Sequence, residues 1–171
     1  MVSDNDALRL RRLVFYASDI DRLNAVLLAF VKKANAQSAL MIDKEGHMVA
    51  RQGFFKQDSS TLAALVAGSF ASTREVAHLL GEPEFRVLFH QGQGQSIHIT
   101  LLGERTLLVT VFSSAVKAGM IHVLCKEVAV QLEALLVDAA KDRPEDEKNE
   151  GLGKNFSDEM KNQLDSLFGN L

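Results

Sequence analysis

Apolar positions along this chain recur at two alternating periods, one helical and one extended, and their order sets the fold class. Leu13-Val14-Phe15-Tyr16 is a short apolar run that ends at a helix signal. Ser18 with Asp21 three residues on has the arrangement of a capping box, an acid standing where Glu or Gln is usual. Ile20, Leu23, Leu27, Phe30, Val31 and Ala34 then follow at helical spacing and predict a first helix. Ala39-Leu40-Met41-Ile42 and His47-Met48-Val49-Ala50 flank Asp43-Lys44-Glu45-Gly46, where Gly46 supplies the positive φ of a tight reversal. This predicts a β-hairpin. Asp58-Ser59-Ser60 is an N-cap cluster opening a helix over about 60–80, which Gly81 and then Pro83 stop.

Three strands come next. Phe85 to His90 runs into Gln91-Gly92-Gln93-Gly94, Ser96 to Leu101 into Gly103-Glu104, and Thr106 to Phe112 is rich in β-branched residues. A last long helix is predicted over about 117–140, with an apolar stripe of Met120, Val123, Leu124, Val128, Leu132, Leu135 and Leu136. The order is helix, two strands, helix, three strands, helix. Short links between neighbouring strands force antiparallel pairing, because parallel neighbours need a long crossover. The expected class is α+β, a five-stranded antiparallel sheet flanked by helices.

The second helix divides into faces at about 100° per residue. Leu62, Leu65, Val66, Ser69, Thr73, Val76 and Leu80 are expected against the sheet, and Ala64, Ala67, Ala71, Arg74, Glu75 and His78 on the opposite stripe. The first turns of that opposite stripe hold alanines where a solvated helix would show Lys, Glu or Arg. Gly68 and Ser72 add small residues along its flank. An interior glycine costs a helix about 1 kcal/mol, so Gly68 calls for close packing by a neighbouring chain. Alanine is also simply a good helix former, which is the plainer reading of the stripe.

Composition changes abruptly past the last helix. Residues 142–150 are charged and lack large apolar side chains, so they read as a flexible tether. Phe156, Met160, Leu164, Leu167 and Phe168 then return at helical spacing. The expected organisation is a domain over 13–140, a linker over 141–155 and an amphipathic helix over 156–171. That helix either docks in a partner's groove or folds back on its own domain; the charged linker favours docking, because it gives reach without fixing geometry.

Charge and chemistry narrow the function. The net charge of -3 argues against a nucleic-acid binder, and Arg9, Arg11 and Arg12 form only a short basic cluster. No apolar run approaches the roughly 20 residues of a membrane helix, and nothing at the start resembles a secretory signal. A single cysteine, Cys125, forms no internal bridge, so a reducing, cytoplasmic setting is expected. There is no Gly-x-x-x-x-Gly-Lys-Ser/Thr loop and no Gly-x-Ser-x-Gly elbow. His47, His78, His90, His98 and His122 show no metal-ligand spacing, so no metal, no cofactor and no catalytic residue is expected. His90 and His98 read as ordinary strand residues, and Cys125 as a buried small apolar group.

The run Thr61-Leu62-Ala63-Ala64-Leu65-Val66-Ala67-Gly68-Ser69, then Leu79-Leu80-Gly81-Glu82, Phe85 and His90-Gln91-Gly92, resembles the Roadblock/LC7 domain family, its MglB-like branch above all. The likeness extends from Leu13-Val14-Phe15-Tyr16 to Asp165-Ser166-Leu167-Phe168. It implies a homodimer whose second helices lie side by side and whose sheets join edge to edge, with Gly68 and Ser72 in the dimer interface. It implies a non-enzymatic regulator of a Ras-like small GTPase of MglA type, in cell polarity and motility, which activates hydrolysis by repositioning the GTPase's own switch residues. The GTPase-facing residues would be Ala64, Ala67, Ala71, Arg74, Glu75 and His78, with Phe156, Met160, Leu164, Leu167 and Phe168 as a second docking element linked to nucleotide exchange. Glu75 and Ser69 depart from that branch, which tends to have a small residue and an asparagine there. The other reading is a scaffold of the same family that binds without altering turnover.

Overall fold

A computed structural model describes residues 15–55 and 58–141. The element order is α1 (Ala17–Ala34), β1 (Ser38–Asp43), β2 (Met48–Gly53), α2 (Ser59–Leu79), β3 (Val87–Gln91), β4 (Gln95–Leu102), β5 (Thr106–Ser113) and α3 (Ala118–Lys141). The predicted α+β class and element order are both present. Strands β1 to β5 form one open antiparallel sheet in the order β2-β1-β5-β4-β3. The expected linker and C-terminal helix lie outside the described residues, apart from Lys141 at the end of α3. So do Leu13, Val14 and the three arginines of the basic cluster.

Side chains alternate across the sheet and build two cores. Leu40, Ile42, Ile99, Leu101, Leu107 and Val109 point to the face covered by α2. Ala39, Met41, Leu102, Leu108 and Phe112 point to the other face, where Leu23, Leu27 and Phe30 of α1 and Ile121, Val128, Leu132 and Leu136 of α3 meet them. Strands β1 and β5 lie in the middle and are covered on both sides, which is why both read as nearly continuous apolar runs.

Two local assignments shift. Helix α1 begins at Ala17, with Tyr16 as its N-cap rather than Ser18, and the Asp19 carboxylate accepts from the Tyr16 N–H at 3.1 Å. An acid three residues past the true cap does what Asp21 was expected to do. In α3 the buried positions are Ile121, Cys125, Val128, Leu132, Leu136 and Ala139, so Met120 and Val123 are exposed and do not belong to the core stripe. Each stripe was apolar enough to be the buried one, and docking on the sheet chose between them.

The α3 side of the sheet also holds a buried polar chain. His98 Nε2 lies 3.1 Å from His122 Nδ1, and His98 Nδ1 lies 3.2 Å from Thr100 Oγ1. Thr110 Oγ1 sits 3.6 Å from the buried Cys125 Sγ. Burial pushes the Cys125 thiol up, in keeping with its expected role as packing. Burial, and then repulsion from His122, push the His98 imidazole from its ordinary 6.5 down to about 4. Protonation of His98 therefore favours the unfolded chain: the stability linked to its neutral form is complete above about pH 6.5 and drains away as pH falls toward 4. At pH 4.5 wild type is expected to lose about 2 kcal/mol more than His98→Gln, relative to each protein at pH 7. Urea unfolding at both pH values checks this, and equal losses would contradict it.

Candidate interaction site

Helix α2 is nucleated by its cap and closed by a glycine. The Asp58 carboxylate accepts from the Thr61 hydroxyl at 2.7 Å and from the backbone N–H groups of Ser60 and Thr61 at 3.2 and 3.1 Å. The Thr61 hydroxyl first, and then these N–H groups, hold its carboxyl below the usual range. At the other end Gly81 takes φ +79, and Glu82 N–H and Gly81 N–H donate to Ala77 O and His78 O. This is a Schellman closure, which needs the left-handed conformation at Gly81.

The inner face of α2 is Ala63, Val66, Ala67, Phe70 and Ala77. This corrects the sequence assignment, because the helix is turned from the expected orientation. Ala67, expected on the outer binding face, is 3% exposed against the sheet, whereas Leu65, Val76 and Leu80, expected on the sheet, face outward. Phe70 is the deciding side chain. It is the largest on the helix, and bringing it onto the sheet swings Leu65 and Val76 into the open. Small alanines beside it let the helix sit close.

Two outward surfaces remain. Leu65, Gly68, Ser72, Val76 and Leu79 are exposed and follow one another at spacings of three and four, with Leu65 at 68% and Leu79 at 87% exposure. An added Cβ on Gly68 would meet nothing within 4 Å, and the Ser72 hydroxyl donates back to Gly68 O at 2.9 Å. The small residue is thus not required by packing among the described residues. The second surface is Ala64, Ala71, Glu75 and His78, all exposed. It lies on the flank met by the β1–β2 turn, where a Cβ on Gly46 (φ +92) would stand 3.0 Å from Ala64 Cα. The opposite flank is marked by Leu62, which with Phe54, Phe55, His90, Ile97 and Val111 lines an open cleft of about 690 Å³ at the end of the sheet.

Arg74 is drawn away from a free role. Its guanidinium lies 3.6 Å from Glu84, whose carboxylate also accepts from Lys44 Nζ at 2.7 Å in a partly buried pair. Glu84 thereby ties the loop after α2 to the β1–β2 turn, a lock the sequence does not reveal. In that turn Asp43, Glu45 and His47 bring ligand-type atoms within 4.8 Å of one another. Asp43 is occupied in shaping the turn, since its carboxylate takes both the His47 N–H and ring.

The sheet's two edges differ. Strand β2 is blunted by the extra residue Val49, opposite the Met41/Ile42 step, and by Arg51. Strand β3 pairs only with β4, carries Val87-Leu88-Phe89-His90-Gln91 without a charge or proline, and leaves its other edge open among the described residues. Such an edge is a template for strand addition.

The model of the Roadblock/LC7 domain matches residues 22–112, more than half of the chain. This chain belongs to the Roadblock/LC7 family. The domain is similar to the solved structure of MglB from Myxococcus xanthus, at 31% identity over 74% of this chain and 96% of that one, with a TM-score of 0.69. The gliding protein MglB from Thermus thermophilus gives 31% identity, 73% and 96% coverage and a TM-score of 0.69. An MglB structure described as having a tetrameric arrangement gives 32% identity, 74% and 96% coverage and 0.71. No curated protein matches the chain. Among the described residues of this Roadblock/LC7 domain, no helix is long and apolar enough to cross a membrane.

Proposed function

We propose that this Roadblock/LC7 chain acts in the cytoplasm as a homodimer that binds a Ras-like small GTPase of MglA type and accelerates its GTP hydrolysis. Support comes from the MglB structures, which share about a third of the sequence over nearly three quarters of the chain. The observation that carries the reading is the pairing of an open, uncharged edge on β3 with the outward leucine-valine stripe of α2. Exposed apolar side chains and an unpaired strand edge are both features that a second copy would cover. Gly68 and Ser72 would sit at that contact with Leu65, Val76 and Leu79. Two α2 helices together would then present Ala64, Ala71, Glu75 and His78 as a platform for the GTPase.

Such a platform needs no reactive group of its own. Phosphoryl transfer is accelerated mainly by positioning and charge stabilisation, so pressing the GTPase's switch segments into line is sufficient. Glu75 favours the second reading, a scaffold that binds without activating. A carboxylate on a close-packed face needs a basic partner, and a GTPase lacking one there would seat differently.

Single-turnover GTP hydrolysis by an MglA-type GTPase, with and without this chain, tests the proposal. Acceleration supports activation, and binding at an unchanged rate supports the scaffold. Absence of binding rejects both. Ala71→Arg is expected to abolish GTPase binding with the thermal midpoint unchanged, because Ala71 is exposed. Ala67→Arg is expected to unfold the domain instead, because Ala67 is sealed against the sheet.

A further inference from the structure

The outward side of α3 carries an apolar seam that nothing among the described residues covers. Val123, Val130 and Val137 are spaced seven apart and exposed, Val130 at 68%, with Met120 and Ala134 at the intervening three- and four-residue steps. The core side of the same helix is already complete with Ile121, Cys125, Val128, Leu132 and Leu136. At 3.6 residues per turn the valines lie about opposite those residues and drift only about 20° per heptad, so they form one nearly straight ridge. Valine on a solvated helix face is a poorer choice than Ala, Glu or Lys. None of the three belongs to either core among the described residues.

We propose that this seam pairs antiparallel with the same seam of a second copy. The ridge is self-complementary about Val130: a two-fold axis there sets Val130 against its own counterpart and Val123 against Val137 of the partner subunit. The charges fit that arrangement. Lys126, which has no ion-pair partner among the described residues, would fall beside Glu133 of the partner subunit, and the symmetry makes this pair twice. Glu133 is held in place, its Oε1 accepting from Gly103 N–H at 2.8 Å and lying 3.7 Å from the exposed Arg86 guanidinium, so Lys126 would be a second cation at this carboxylate, as Arg74 is beside Lys44 at Glu84. On the other flank Glu127 and Asp138 are committed to Lys33 and Arg22 of α1, so they bring no unpaired charge to the seam.

Met120 to Val137 spans about 26 Å of helix. One helix face per copy falls below the area of a standard stable interface, so the pairing is weak, with dissociation at micromolar concentration or above. Helix α3 covers the sheet face opposite α2, so this contact and the proposed α2–β3 contact form together and raise the assembly beyond a dimer.

Disulfide trapping of the full chain tests it without depending on the α2–β3 contact. Val130→Cys is expected to form a covalent dimer under mild oxidation. Val123→Cys alone is expected to stay unlinked, whereas a mixture of Val123→Cys and Val137→Cys links. The native Cys125 is buried and gives little background. Val130→Glu is expected to remove the concentration-dependent species larger than a dimer in sedimentation velocity, with an unchanged melting curve. In a Val76→Glu background, where the α2–β3 contact is broken, residual dimers are expected to vanish on adding Val130→Glu. Failure of Val130→Cys to link, or self-linking of Val123→Cys as efficient as that of Val130→Cys, would overturn the proposal.

Discussion

Phe70→Ala is expected to lower the unfolding free energy by about 3–5 kcal/mol, the usual cost of emptying a buried aromatic site. Domains are typically stable by only about 5–15 kcal/mol, so this single change removes a large part of the margin. The effect is large because Phe70 sits in the core formed by α2 with Leu40, Ile42, Ile99 and Val109 from three strands. Its neighbours on the helix, Ala63, Ala67 and Ala77, are too small to collapse into the space. Urea titration should show a lower midpoint at an unchanged slope. Leu79→Ala, at the exposed end of the same helix, is expected to stay within about 0.5 kcal/mol when measured on the monomer. A reversal of that ranking would mean that α2 is turned on the sheet in the way the sequence alone suggests.

Val76→Glu is expected to convert the proposed α2–β3 dimer to monomer at concentrations where wild type is dimeric. Val76 lies in the middle of the outward stripe, between Ser72 and Leu79, so each subunit would place a carboxylate in an apolar contact. Burying an unpaired charge costs several kcal/mol, and about 3 kcal/mol already weakens association more than 100-fold. The side chain is exposed in the single chain, so circular dichroism of the variant should match wild type. Loss of GTPase binding together with the dimer would tie the two functions to one platform. A fully dimeric Val76→Glu protein would remove the α2 stripe from the interface.

The faces of helices were the least legible feature. Both α2 and α3 offer two apolar stripes, and a helical period alone does not say which stripe meets the sheet. In α2 hydrophobicity alone favours the leucines and valines and leaves Ala67 on the surface. The register actually adopted buries Phe70 with three alanines and a valine. The decisive signal was a single aromatic residue, Phe70, flanked at i-3 and i+7 by alanine. In α3 the same ambiguity hides the valine seam, because the helical period groups Met120 and Val123 with the core stripe. The His98–His122 pair was hidden for another reason: the two residues are 24 apart in sequence and meet only when α3 lies across β4.

The local grammar, by contrast, was plain. Hairpin turns at Gly46 and Gly103, the Asp58 cap, the Gly81 stop and the period-two and helical-period runs act over a few residues each. They determine the element order and antiparallel pairing, and through them the α+β class and the family. What only the tertiary structure decided is everything that depends on rotation or on distant partners. This covers which side of α2 and α3 is buried, the Lys44–Glu84–Arg74 lock, the open edge at β3 and the outward valine ridge. Local signals carry direction along the chain, but rotation about a helix axis is settled by which side chains fill the space above the sheet.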